Sequence, residues 1–212
     1  MIETRLLINA LAQDRIMTAR PGVLMSRAMW AANAIAGAAF FSAIGFRADI
    51  AIASETVRFI LKFAFTLPLA ITATIATTRS LRPDYRFTQS DWALAISPLL
   101  LMTAALVELT LVPPSSWITT MVGSNARNCL TLIPFLALGP LTCILLAARQ
   151  GAPSNPMLTG ALAGLAASGI AATYYATNCT DDSPLFVITW YPIATAFVVA
   201  VGMLAGKRWL RW

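Results

Sequence analysis

The side chains able to do chemistry in this 212-residue chain are few. Histidine is absent, which removes the commonest general base and the nucleophile–histidine arrangements built on it. There is also no phosphate-cradling glycine loop, no paired metal-ligand motif and no basic, aromatic-lined sheet pattern. What remains is thiol chemistry at Cys129, Cys143 and Cys179, two carboxylates at Asp181 and Asp182, and a lysine and a glutamate, Lys62 and Glu108, set in apolar sequence. Two thiols sharing an oxidising surface can form a disulfide, stay free, or respond to an oxidant or a soft metal. A tetrahedral zinc site would need Asp181 or Asp182 as further ligands, and no metal site is assigned. No catalytic residue and no cofactor is assigned either, so the chain reads as a non-enzyme.

The elements that position these residues follow from hydropathy. Hydrophobic residues make up 58% of the chain and charged ones 11%, far from the usual globular shares. Six apolar runs, 28–46, 59–78, 92–112, 129–148, 157–176 and 185–205, each have about the twenty residues that a spanning helix requires. A bilayer offers no water to the backbone, so such runs become helices that satisfy their own amides. The expected fold is all-α, a polytopic six-helix membrane bundle over residues 28–212, preceded by a tail of residues 1–27. The fourth run is interrupted by Pro134 and Pro140, which a spanning helix tolerates when its neighbours re-satisfy the freed carbonyls.

Basic residues set the orientation. Arg5, Arg15, Arg20 and Arg27 lie in the tail, Arg79, Arg82 and Arg86 in the second loop, Arg149 in the fourth, and Lys207, Arg208 and Arg211 at the carboxyl end. The odd-numbered loops hold Arg47, Arg58 and Arg127 beside Asp49, Glu55, Asp181 and Asp182. The alternation predicts both termini in the cytoplasm, and the +6 net charge is largely this signature. Trp92, Trp117, Trp209 and Trp212 sit at run ends, where indoles favour the membrane interface. In the tail, Ile2, Leu6, Leu7, Ala10 and Leu11 recur at helical spacing. A short helix with one apolar stripe needs a cover, either the membrane surface or a partner's groove.

This topology sorts the chemistry. Cys129 and Cys179 fall at the outer face, whereas Cys143 lies about 21 Å further along its helix. Lys62 and Glu108 both lie roughly one turn below the outer surface, so they are expected to form a structural intramembrane ion pair, with a proton or ion relay as the alternative. Intramembrane charges usually need such a partner. Gly160 and Gly164, continued by Ser168, allow close helix approach in the fifth span.

The order of segments resembles the NrsF-type family of bacterial six-span membrane anti-sigma factors. The resemblance is carried by LLINALAQD (6–14), FILKFAFTLPLA (59–70), RPD (82–84), VELTLVPPSSW (107–117), RQGAPSNP (149–156) and NCTDDSPLFVITWY (178–191). It implies a protein of the bacterial inner membrane that sequesters an extracytoplasmic-function sigma factor and releases it on a periplasmic stress signal, such as thiol oxidation or heavy metal. By resemblance, Leu6, Leu7, Ala10, Leu11 and Asp14 belong to the sigma-binding tail, and Cys129 and Cys179 correspond to the family's outer-face cysteine pair. The implied partners are the sigma factor and the lipid bilayer, with no direct contact to nucleic acid. Asn178 stands where the family pattern leads one to expect histidine, which favours oxidation over metal coordination as the stimulus. Two other classes make different predictions. A small transporter or channel would show a polar midplane cavity and an inverted repeat, and a structural subunit of a larger complex would show large apolar or small-residue faces toward lipid.

Overall fold

The computed structural model describes residues 21–210, so Leu6, Leu7, Ala10, Leu11 and Asp14 lie outside the described residues. These form eight α-helices and no strand: α1 (Pro21–Ala43), α2 (Ile50–Ala53), α3 (Val57–Ser80), α4 (Ile96–Leu111), α5 (Trp117–Val122), α6 (Ala126–Ala148), α7 (Pro156–Ala176) and α8 (Pro184–Trp209). A 3-10 segment, Gln89–Ala95, leads into α4, and a shorter one, Pro114–Ser116, leads into α5. Six segments are long and apolar enough to cross a membrane: α1, α3, α4 with its 3-10 lead, α6 together with α5 and the turn before it, α7 and α8.

Local chemistry explains most of the ends. The Thr56 hydroxyl accepts from the Phe59 amide at the start of α3, Asn155 accepts from Leu158 at α7, and Ser183 accepts from Leu185 at α8. Pro156 and Pro184 occupy the first turns of α7 and α8, where a missing N–H costs nothing. The described part of α1 begins at Pro21, seven residues before the expected span. The helix ends at Ala43, and the Ile44 and Gly45 amides both close on the Phe40 carbonyl. Gly45 (φ 74°) then turns the chain with a backbone that favours glycine. Pro134 and Pro140 do not break α6, which runs through both.

The axis of the bundle is α7, the most buried of the six spans. It packs mainly on α8, α3 and α6, while α1 leans on α6 and α4 bridges α3 and α8. A Cβ on Gly160 would overlap the Gly202 carbonyl, and one on Gly202 would overlap the Gly160 carbonyl. The two helices thus touch backbone to backbone, the kind of close approach that holds helices together where lipid removes the hydrophobic drive. Gly160 and Gly164 are therefore satisfied within the chain, against Gly202, Gly206 and the Val198–Val199 backbone. At the arginine-rich end, Arg79 binds Thr88, Ser90 and Asp91, and the Ala152 amide donates to the Leu81 carbonyl, joining two loops.

Candidate functional site: a buried thiol pair under a charged clasp

The bundle end opposite those loops carries the cysteines. Cys129 lies in the first turn of α6 and Cys179 in the α7–α8 loop, three residues beyond the end of α7. Both are free thiols with no exposed surface. They share one core cluster with Tyr175, Phe186 and Tyr191. Cys143 is also a free thiol, half-buried further along α6.

The loop carrying Cys179 is wired to three other segments. Its Asp182 meets Lys62 of α3 (Nζ to Oδ1, 2.5 Å) and Arg47 of the α1–α2 turn (2.8 Å). The Cys179 carbonyl accepts from Lys62 Nζ at 2.7 Å and from Arg47 Nη1 at 3.1 Å. Arg47 also forks onto Asp49 at 2.6 and 2.7 Å. Asp181 accepts the Asn125 amide at 2.7 Å and the Ser124 amide at 2.9 Å, together with the Asn125 side chain at 3.0 Å. These donors sit just before α6, so Asp181 fixes the helix that begins with Cys129. Gly123, with φ 57°, makes the turn possible; a Cβ there would fall 2.5 Å from the Phe186 ring and 2.9 Å from Asp181.

The electrostatics follow from these contacts. Burial pushes the Cys179 thiol above its ordinary range, outweighing the nearby Lys62 charge and hydrogen bonds that favour the thiolate. Burial also acts to raise Asp181, but the Asn125 and Ser124 donors prevail and hold it below the usual carboxylate range. The hydrogen bond from Arg47 lowers Asp49, and the same contact raises Arg47.

The expected pair between Lys62 and Glu108 is not the one formed. Lys62, fully buried, goes to Asp182, while Glu108 goes to Arg58 Nη2 at 3.0 Å and accepts from the Ser183 hydroxyl at 3.2 Å. Arg58 lies four residues before Lys62 on α3, so Glu108 meets the helix one turn nearer its start. The α7–α8 loop, which crosses the bundle end above Lys62, supplies the carboxylate instead. Asp182, Arg47, Asp181 and Arg58 thus carry the site, and hydropathy did not single them out. The usable signal was the run Cys179–Asp182, two carboxylates beside a thiol at about the depth of a buried lysine. Among the described residues no group of three or more Cys, Asp or Glu is arranged to hold a metal ion.

A helical bundle with six potential membrane spans, carrying at one end a clasp of ion pairs over two thiols, defines a polytopic membrane-type protein. The chain belongs to the family described as Negative regulator of sigma F (NrsF), whose model matches residues 11–212. It is a family of anti-sigma factors, regulatory rather than catalytic. The chain is 29% identical over 166 residues, 78% of each chain, to the "Probable anti-sigma-F factor NrsF" of Azospira oryzae. It is 34% identical over 90 residues, 42% of each chain, to the "Anti-sigma-F factor NrsF" of Caulobacter vibrioides. No solved structure matches it.

Proposed function

We propose that this chain is an inner-membrane anti-sigma factor. It holds an extracytoplasmic-function sigma factor through its amino-terminal tail and releases it when the thiol cluster receives a periplasmic stress signal. In this reading residues 1–27 are the partner-binding segment, both termini are cytoplasmic, and the clasp faces the periplasm. Family membership is the observation that carries it. The asymmetry of basic residues supports the orientation, since the tail, the second and fourth loops and the carboxyl end carry most of the lysines and arginines.

The tail contacts are Leu6, Leu7, Ala10, Leu11 and Asp14, an apolar stripe with one acidic member that fits the helix-in-groove mode of recognition. Cys129 and Cys179 are the sensing pair. Their burial beneath a loop tied to α3, α6 and the α1–α2 turn supports a switch in which oxidation repacks the loop and the helices it ties.

The test is co-purification from bacterial membranes under reducing conditions, with mass spectrometry of bound protein. The full chain is compared with a chain lacking residues 1–20 and with a Leu7→Asp/Leu11→Asp variant. A sigma factor retained by the full chain alone is the expected result. Equal retention by the double variant, with the bundle inserted, refutes the tail assignment.

A further inference from the structure

Two cavities meet at Arg58, at the cysteine end of the bundle. One, of about 400 Å³, is walled by the start of α3, by α5 and by the α7–α8 loop, and polar residues dominate its lining, among them Thr119, Thr180, Asp181 and Asp182. The other, of about 490 Å³, runs down the groove between α3 and α4 past Leu61, Leu100, Val107 and Leu111, with Glu108 near its mouth. Arg58 lines both, and the backbone passes from one to the other at Thr56–Val57 and again at Ser183–Pro184.

These walls are open to an occupant. The Arg58 side chain is 53% exposed and meets Glu108 through Nη2, while its Nε and Nη1 have no partner among the described residues. Asp181 is half-buried, and its Oδ1 has a single long contact, 3.5 Å from the Ser124 hydroxyl. Thr119 and Thr180 are exposed, as are Leu100, Val107 and Leu111 along the groove. From Leu111 to Leu100 the groove follows α4 for about 16 Å at the helical rise, roughly half of a hydrocarbon core and so the depth of one leaflet. The polar cavity lies beside two indoles, Trp117 donating to the Val112 carbonyl at 2.9 Å and Trp190 to the Met121 carbonyl at 2.8 Å, a side chain that settles at headgroup level.

We propose that this composite site holds one phosphatidylethanolamine molecule, with its phosphate on Arg58, its ammonium toward Asp181 and Asp182, and an acyl chain in the α3–α4 groove. A guanidinium with free N–H groups matches a phosphate, and a primary ammonium brings three donors to the carboxylates, whereas a choline headgroup brings none. Asp182 is answered by Lys62 and Arg47. That leaves Asp181 and Glu108 against Arg58, a balance that suits a zwitterion and disfavours an anionic lipid. Bound there, the lipid braces the α7–α8 loop that covers Cys179. The inference rests on the bundle's spanning a membrane, which carbonate-resistant retention of the chain in bacterial membranes tests separately, and it does not involve the sigma factor.

The test is native mass spectrometry of the detergent-purified full chain, titrated with dioleoyl phosphatidylethanolamine, phosphatidylglycerol or phosphatidylcholine. One saturable phosphatidylethanolamine adduct, about tenfold tighter than the other two lipids form, is the expected result, the worth of one charge-assisted hydrogen bond. Arg58→Gln should weaken it about tenfold for the same reason. Val107→Trp, at an exposed groove position, should leave the fold intact and weaken all three lipids by filling the space for the acyl chain. Lys207→Gln, exposed at the opposite end of the bundle, should change nothing. Equal affinity for the three lipids, a preference for phosphatidylglycerol, no saturable adduct, or phosphatidylethanolamine binding unchanged in either Arg58→Gln or Val107→Trp overturns the proposal.

Discussion

Neutralising Asp182 separates the observed ion-pair network from the one that span depth alone suggests. In Asp182→Asn, Lys62 keeps the Cys179 carbonyl but loses its carboxylate, and at 0% side-chain exposure it has no water to turn to. Breaking a buried pair by removing one partner costs about 3–5 kcal/mol. The surviving carbonyl bond and the 19% exposure of Asp182 place the expected loss near the lower bound, about 3 kcal/mol, or roughly 150-fold in the folding equilibrium. Glu108→Gln is the matched control. Its cation, Arg58, is 53% exposed and returns to solvent, while the amide still accepts from Ser183, so the cost is about 1 kcal/mol or less.

The assay is reversible unfolding in mixed micelles by titration with dodecyl sulfate, followed by circular dichroism. Lys62→Met closes the cycle. In that background Asp182 still has Arg47, so adding Asp182→Asn should cost well under the single-variant value, a coupling that additivity would not produce. Equal losses in Glu108→Gln and Asp182→Asn, or strict additivity in the Lys62→Met background, would refute the reasoning.

The thiols and the small-residue seam give further expectations. Cys129→Ser or Cys179→Ser should abolish sigma-factor release by diamide in membranes; an unchanged response returns both to a packing role. Because burial raises the Cys179 thiol, its thiolate, and hence its iodoacetamide labelling in a Cys129→Ser/Cys143→Ser background, should keep climbing with pH beyond the point where an ordinary cysteine levels off. Labelling that plateaus in the ordinary range counts against that burial. Gly202→Val places side-chain atoms against the Gly160 carbonyl, which cannot rotate away. Overpacking of this kind costs about 1–3 kcal/mol, read as a lowered unfolding midpoint, whereas the lipid-exposed Leu204→Val should be nearly silent.

Much of the fold was legible because a bilayer imposes one-dimensional constraints. The run around Pro134 and Pro140 was read as a span on hydropathy alone, and α6 is continuous there. Helix α1 reaches back to Pro21, ahead of the apolar run 28–46, because a helix can continue past the end of the hydropathic run by which a span is recognised. Of the seam, Gly160 and Gly164 were visible as a motif. Their counterparts Gly202 and Gly206 were not, since which face of α8 meets α7 is a matter of helix rotation.

The sequence by itself determined an all-helical chain with six segments able to span a membrane, the shared level of Lys62 and Glu108 near one end of their helices, and the common end of Cys129 and Cys179. Each of these depends on length, apolar content and distance along a helix axis. Only the tertiary structure decided that Lys62 belongs to Asp182 and Glu108 to Arg58, that Asp181 holds the start of α6, and that both thiols are buried. Those outcomes depend on the rotation of each helix about its axis and on the path of the α7–α8 loop. Hydropathy is blind to both, because the bilayer selects for apolar length and leaves azimuth to the packing of side chains.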